Sequence, residues 1–136
     1  MVGRRGVVSA PRRPSWQTAL VRAAGVHHVA INVADVGESV AFYTEVLGLT
    51  LRTDRPDLGI GGAWLDAGGQ QVHFVEAPVP RNLGQHFALL VDDLDQAVAE
   101  LRGLGVEVSD PGPVGTGRQA FLLDPSGNPV ELHQRA

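Results

Sequence analysis

The stretch VHHVAINVADV, residues 26–36, returns in the second half of the chain as GQHFALLVDDL, residues 84–94. His28 in the first copy matches His86 in the second, 58 positions later (86 − 28). The same offset aligns LDAGG at 65–69 with LDPSG at 123–127. One spacing that relates two separate motifs indicates an internal repeat. We therefore predict two halves, about 26–76 and 84–133, joined by a proline-bearing linker at 77–83.

Each half has the pattern of a strand, a helix and three further strands. The β-branched run at 26–33 predicts a strand, and Asp35 with Glu38 three residues later predicts a helix start. Gly48 ends the apolar stripe of this helix, and Asp93 and Gly105 bracket the second helix in the same way. Short runs separated by Gly and Pro predict the other strands at 49–53, 62–66, 70–76, 106–109, 118–123 and 128–133. The predicted fold class is α+β, with two βαβββ modules.

Strand side chains alternate between two faces, and this sorts the polar residues. The face away from the helix carries one metal-capable side chain on each of four strands: His28, His73, His86 and Glu131. The repeat offset pairs His28 with His86 and His73 with Glu131, so a pseudo-twofold packing of the halves would let all four converge. Three imidazoles and a carboxylate suit Fe, Mn, Co, Ni or Zn. The alternative is that these histidines do not share a metal and that each forms hydrogen bonds with its own neighbours.

Two other histidines are not predicted to be metal ligands. The face parity of His27 places it with the helix-packed residues. His133 shares the parity of Glu131, but it lies near the chain end, and we interpret it as exposed or as a neighbour of the ligands.

These residues resemble the vicinal-oxygen-chelate superfamily, also called glyoxalase/bleomycin-resistance/dioxygenase. The motifs that carry the resemblance span about 25–134: HHVAINVADV at 27–36, SVAFY at 39–43, LGL at 47–49, GQHFA at 84–88 and DPSGNPVEL at 124–132. The resemblance implies paired βαβββ modules that form a half-open barrel around one divalent metal. It places the ligands on the first and last strands of each module, which again gives His28, His73, His86 and Glu131. It also implies a homodimer.

The resemblance further implies chelation of a small substrate through adjacent oxygens, with the metal stabilising an enolate. Glu131 is the one carboxylate among the four residues, so it is the candidate for both ligand and general base. The predicted activity is that of a glyoxalase I-like lyase or isomerase, or of an epimerase. His73 stands where glyoxalases usually have Glu or Gln, which counts against a two-base isomerisation.

Two other functions stay open. A non-catalytic drug-binding protein of the bleomycin-resistance type is the first alternative, although such proteins lack the full ligand set. An extradiol dioxygenase-like enzyme is the second. Those enzymes usually carry a tyrosine three residues before the Asp-Pro pair, and here that position is Phe121, which donates no hydrogen bond.

Face parity also nominates substrate-contact residues. Asn32, Gln71, Val75 and Phe121 are predicted to line the pocket. Trp64 and Arg118 lie on neighbouring strands, where packing and surface roles are equally consistent with the pattern. The Gly- and Pro-rich segment at 112–117 is interpreted as a connecting loop rather than a lid.

The bulk composition narrows the remaining classes. The 136 residues suit one domain at 25–136, preceded by an Arg-rich tail at 1–24 that has five arginines and no acidic residue. Because the tail is basic, the net charge of −4 means that the domain at 25–136 is acidic. An acidic domain argues against a nucleic-acid partner. The chain has no cysteine, no apolar run of membrane-spanning length and no secretory signal core. We expect a cytoplasmic protein whose partner is a small molecule, with no membrane partner.

Overall fold

Two four-stranded sheets, one from each half of the sequence, make up the fold. The computed structural model describes residues 10–12, 14–18 and 20–136. The first half consists of β1 (His28–Val33), α1 (Val36–Ala41), β2 (Thr50–Leu51), β3 (Gly62–Ala67) and β4 (Gln70–Glu76). The second half consists of β5 (Phe87–Leu90), α2 (Leu94–Gly103), β6 (Gly112–Val114), β7 (Gly117–Leu123) and β8 (Pro129–Gln134).

The strand orders of the two sheets are equivalent. The first sheet runs β1-β4-β3-β2 and the second runs β5-β8-β7-β6. In each sheet the first and last strands of the module are parallel neighbours, and the other pairs are antiparallel. The predicted βαβββ repeat and the α+β class are therefore confirmed. Within the described residues no strand of one sheet pairs with a strand of the other, so hydrogen bonds do not close a barrel.

Both helices begin where the sequence predicts. The Asp35 side chain accepts a hydrogen bond from the Glu38 backbone N–H at 2.9 Å, and Asp93 caps α2 in the same way through Gln96. The first helix then departs from the prediction, because α1 continues as a π-helical turn at Phe42–Val46. Tyr43 lies in this wider turn and is fully buried.

The segment between α2 and β7 differs from its prediction. The predicted strand at 106–109 forms only an isolated bridge between Val108 and Leu122. The predicted loop at 112–117 instead contains β6 and a hairpin turn into β7, with Gly115 at a positive φ of 54°. Gly117 lies directly against the Gln134 carbonyl, where a side chain would clash. A Gly-rich sequence thus serves close strand packing here, which composition alone does not distinguish from a loop.

The core lies between the sheets and their helices, on the face that parity predicts. Its fully or almost fully buried apolar side chains come from both halves: Val33, Tyr43, Ala63, Leu65, Val72, Phe74, Leu94, Val98, Leu101, Val108, Ala120, Leu122, Val130 and Leu132. The opposite faces of β1 and β5 carry the exposed residues Ala30, Ala88 and Leu90. The metal-capable side chains therefore project from the side of each sheet that the core does not use.

A buried carboxylate in the β7–β8 turn ties the two halves together. Asp124, 4% exposed, accepts hydrogen bonds from the Tyr43 hydroxyl at 2.8 Å and from the backbone N–H groups of Ser126 and Asn128 at 2.9 Å. The Asn128 amide also donates to the Asn32 carbonyl of the first half at 2.8 Å. Burial, followed by the charge of Asp124, raises the pKa of Tyr43, so its hydroxyl stays protonated and donates.

The predicted tail at 1–24 falls partly outside the described residues. In its described part a short 3-10 helix spans Ser15–Thr18, and Trp16, Leu20 and Val21 are each at least 71% exposed. No helix in the described part of the chain is long and apolar enough to cross a membrane.

Candidate metal centre

Two histidines of the first sheet stack on its open face. The parallel register pairs Ala30 of β1 with His73 of β4, so His28 lies two residues earlier on the same face. The His28 and His73 rings stack with centroids 3.9 Å apart and planes 12° apart. Trp64, the partner of His73 in β3, stacks on the other side of His73 at 4.6 Å. Three adjacent strands therefore hold the two imidazoles in one aromatic column.

His73 is nearly buried and its ring is held from one side. Its Nε2 lies 2.8 Å from Oε1 of Gln71, two residues earlier on the same face. Burial lowers the pKa of His73, and the nearby charges of His28, His27, Arg52 and Arg55 lower it further. The ring is therefore neutral at neutral pH, which is the form that can bind a metal. Gln71, predicted to line the substrate pocket, thus contacts a predicted ligand.

His86 of the second half has both ring nitrogens beside oxygen atoms. Its Nδ1 lies 2.8 Å from the Gly84 carbonyl oxygen, and its Nε2 lies 3.1 Å from Oε1 of Glu131. Nδ1 must donate to the carbonyl, so Nε2 is the free nitrogen that faces the carboxylate. A proton on Nε2 would satisfy this contact, and the bonds to Gly84 and Glu131 raise the pKa of His86. A divalent cation held by Nε2 and Oε1 would satisfy it equally.

Glu131 is held between two histidines. It is 9% exposed, and its second oxygen, Oε2, lies 3.0 Å from Nδ1 of His133. A nearly buried carboxylate is costly unless hydrogen bonds compensate the loss of water, and here each oxygen has an imidazole partner. His133 therefore fits the interpretation as a neighbour of the ligands, because its contact is with Glu131.

The structure brings the four predicted ligands together as two pairs. His28 meets His73 in the first sheet, and His86 meets Glu131 in the second. Among the described residues, no three or more His, Asp or Glu side chains are arranged so that they could hold one metal ion. Convergence of all four within a single chain is therefore not seen, and their joint role as ligands stays a prediction.

The other nominated pocket residues are distributed over both halves. Asn32 donates to the Pro78 carbonyl of the linker at 3.0 Å, and half-buried Val75 is its register partner in β4. Phe121 packs edge-on against His86, with ring centroids 5.1 Å apart. Arg118 pairs with Asp95 through two hydrogen bonds, which gives it a surface role. Of these side chains, Phe121 is in contact with a predicted ligand.

The strand pairing adds Trp64 to the site and explains why the repeat offset did not. Trp64 pairs with His73 in the first sheet, and Phe121 pairs with Glu131 in the second. These aromatic residues occupy equivalent positions, although their separation is 57 (121 − 64) and not 58. The turn between β7 and β8 is longer than the turn between β3 and β4, which moves the preceding strand by one position. The pairing of β3 with β4 identifies Trp64 as part of the site, whereas the 58-residue repeat offset does not.

An apolar cavity opens beside His86. It has a volume of about 390 Å³, and Phe121, Leu123 and Pro129 supply much of its wall. A larger groove of about 1170 Å³ runs between the two halves, and Gln71 is one of its lining residues. None of the four predicted ligands lines that groove. The smaller cavity, in contrast, is lined by the predicted ligand His86.

Comparisons with known proteins agree with this architecture. The family model of the Glyoxalase/Bleomycin resistance protein/Dioxygenase superfamily matches residues 25–132. "Probable lactoylglutathione lyase, chloroplastic" of Arabidopsis thaliana is 35% identical over 79% of this chain and 35% of its own length. The lactoylglutathione lyase of Salmonella typhimurium is 32% identical over 77% of this chain and 88% of its own. The solved structure of TnmS3, an antibiotic binding protein from Streptomyces sp. CB03234, has a TM-score of 0.70 at 27% identity, covering 85% and 99%. The chain thus spans about a third of the plant relative.

Proposed function

The chain belongs to the Glyoxalase/Bleomycin resistance protein/Dioxygenase superfamily, and on that premise we propose that it is a divalent-metal-dependent lyase, isomerase or epimerase of the glyoxalase type. Its substrate is a small molecule that chelates the metal through adjacent oxygens. The relatives named lactoylglutathione lyase support this class of reaction.

The arrangement of His86 and Glu131 carries the proposal. The Gly84 carbonyl fixes Nδ1 of His86, which directs Nε2 at the Glu131 carboxylate 3.1 Å away. Metal-binding histidines are commonly oriented through their other nitrogen in this way. Nitrogen and carboxylate donors suit a divalent Fe, Mn, Co, Ni or Zn ion. The residues present therefore fit a metal, with His28 and His73 as its other ligands.

A second copy of the chain would complete the site. Each sheet offers two of the four ligands on its open face, and one chain does not bring the pairs together. Ala30 on β1 and Ala88 on β5 share these faces and are exposed. In a twofold dimer the first sheet of one chain can face the second sheet of its partner, with both pairs at the interface. We therefore propose a homodimer with two shared sites.

The chain's own residues would then move the proton. Bound at these side chains, a divalent ion would polarise the substrate oxygens and favour deprotonation of the adjacent carbon. Glu131 would accept that proton on one carboxylate oxygen and return it to a neighbouring atom. His133 would hold the other oxygen, as it does at 3.0 Å in this structure. Nearly complete burial of Glu131 keeps bulk water from competing for the proton.

Replacing Glu131 by glutamine is expected to lower turnover by about 100-fold to 10,000-fold, because an amide cannot accept the proton. The measurement is a screen of 2-oxoaldehyde–thiol adducts, acyl thioesters and catechols with each candidate metal, followed by the rate of solvent-deuterium incorporation at the reacting carbon. Asp92→Asn removes an exposed carboxylate outside both the ligand set and the cavity beside His86, and is the control. Unchanged deuterium incorporation in Glu131→Gln would assign the base to another residue.

Replacing His133 by alanine is expected to weaken metal binding or activity by about 10-fold to 100-fold, the usual effect of losing a residue that orients a ligand. His133→Asn is the matched variant, because its amide N–H can take the place of Nδ1–H toward Glu131. Metal titration of the two variants and the wild type provides the comparison. Equal losses in both would point to general damage to the strand rather than to the lost hydrogen bond.

A non-catalytic binding protein is the second candidate function. The similarity to TnmS3, an antibiotic binding protein, and the apolar cavity beside His86 favour it. Wild-type protein that stays metal-free after reconstitution with Fe(II), Mn, Co, Ni and Zn, yet binds small molecules, would support this function and exclude the enzyme.

A further inference from the structure

The cavity beside His86 has a chemistry that restricts the substrate. We infer that it receives an apolar, uncharged group of the substrate and disfavours groups that carry a carboxylate. The inference rests on the proposed function in one respect. The cavity is assigned to the substrate site because His86, a proposed metal ligand, lines it.

The walls of the cavity are apolar on the face that carries Glu131. Phe121 and Leu123 of β7 and Pro129 of β8 line it, and residues two apart on a strand share a face. Its volume of about 390 Å³ lies in the range of small-molecule sites. Leu123 is 55% exposed, so an apolar group that covers it gains burial. An aromatic ring or a branched acyl group matches both the size and the surface.

The polar residues at the cavity do not suit an anion. Asn82, His86 and Glu107 line it, and no Lys or Arg does. Any positive charge on the His86 imidazole is neutralised by the Glu131 carboxylate, 3.1 Å away. Within the described part of the chain, Glu107 has no cationic partner to neutralise it. An anionic group would lose water on entering an apolar wall and would also meet the charge of Glu107.

The apolar and acidic lining of this cavity does not suit a glutathione adduct, the kind of substrate that the name lactoylglutathione lyase denotes. Glutathione carries two carboxylates, and a site that binds it tightly is expected to offer cationic partners. Arg81 precedes Asn82 in the chain but does not line the cavity. The structure thus points to a substrate whose group beside the chelating oxygens is apolar.

A metal-free titration tests the inference separately from the proposed metal site. The probes are 2-naphthol and 2-naphthoate, which share one ring system and differ in charge at neutral pH. Binding to chelator-treated, isotope-labelled protein is followed by the amide NMR shifts of Phe121 and Leu123. We expect 2-naphthol to bind about fivefold more tightly than 2-naphthoate, the effect of one like charge about 4 Å away that is screened as in water. Glu107→Gln should reduce that preference to less than about twofold.

Two variants identify the site of binding. Leu123→Ser should weaken 2-naphthol binding by about threefold to tenfold, because it removes apolar area that the ring covers. Leu104→Ser, at a position 65% exposed and outside this cavity, is the matched control and should leave binding unchanged. Tighter binding of 2-naphthoate that is lost in Arg81→Gln would overturn the inference, as would a charge preference that Glu107→Gln does not alter. Because no metal is present, neither result depends on metal binding by the four ligands.

Discussion

Asp124→Ala is expected to lower the free energy of unfolding by about 3–5 kcal/mol, since it removes the centre of a buried polar network. The alanine variant would remove the acceptor of four buried or half-buried donors: the Tyr43 hydroxyl, the backbone N–H groups of Ser126 and Asn128, and the side-chain amide of Asn128. An unsatisfied buried donor loses its hydrogen bond to water and gains nothing in return. The effect is large because one side chain serves both halves of the chain.

Two further variants distinguish the loss of this hydrogen-bond network from the loss of a negative charge alone. Tyr43→Phe removes one hydrogen bond to a charged group and should cost about 1.5–3 kcal/mol. Asp92→Ala removes an exposed carboxylate near α2 and should change stability by no more than about 0.5 kcal/mol. Urea unfolding followed by circular dichroism gives all three values. A smaller loss in Asp124→Ala than in Tyr43→Phe would mean that the turn does not depend on its carboxylate.

The sequence predicted the strands and their buried faces well because these depend on local pattern. The run at 70–76 matches β4, and the parity that buried Val72 and Phe74 also placed His73 on the opposite face. The helix starts at Asp35 and Asp93 were predictable for the same reason, since capping involves only neighbouring residues. Local chemistry of this kind requires no knowledge of the rest of the fold.

The features that were missed depend on contacts distant in sequence. Tyr43, in the π-helical turn at Phe42–Val46, donates to Asp124, 81 residues later (124 − 43). Trp64 entered the site only through its pairing with His73. The separation of the ligands into two pairs depends on how the halves pack, and face parity carries no information about that packing.

The separation into pairs leads to the largest effect that we expect on metal binding. His28→Ala/His73→Ala and His86→Ala/Glu131→Ala should each lose nearly all metal, because each double variant keeps only one pair of ligands. If sites are shared in a twofold dimer, a hybrid of the two variants contains one intact site and one site without ligands. Random exchange makes about half of the dimers hybrid, so an equal mixture should recover about a quarter of the wild-type metal per chain.

The recovery distinguishes a shared site from one built within a single chain. A single-chain site gives no metal in the mixture, because every chain lacks two of its ligands. Metal analysis after co-expression, together with native mass spectrometry to count hybrid dimers, provides both numbers. Asp92→Ala, at an exposed carboxylate outside the ligand set, is the control and should retain metal. Hybrid dimers that form in the expected proportion but carry no metal would exclude the shared site. Metal retained in either double variant alone would instead exclude the four-ligand assignment.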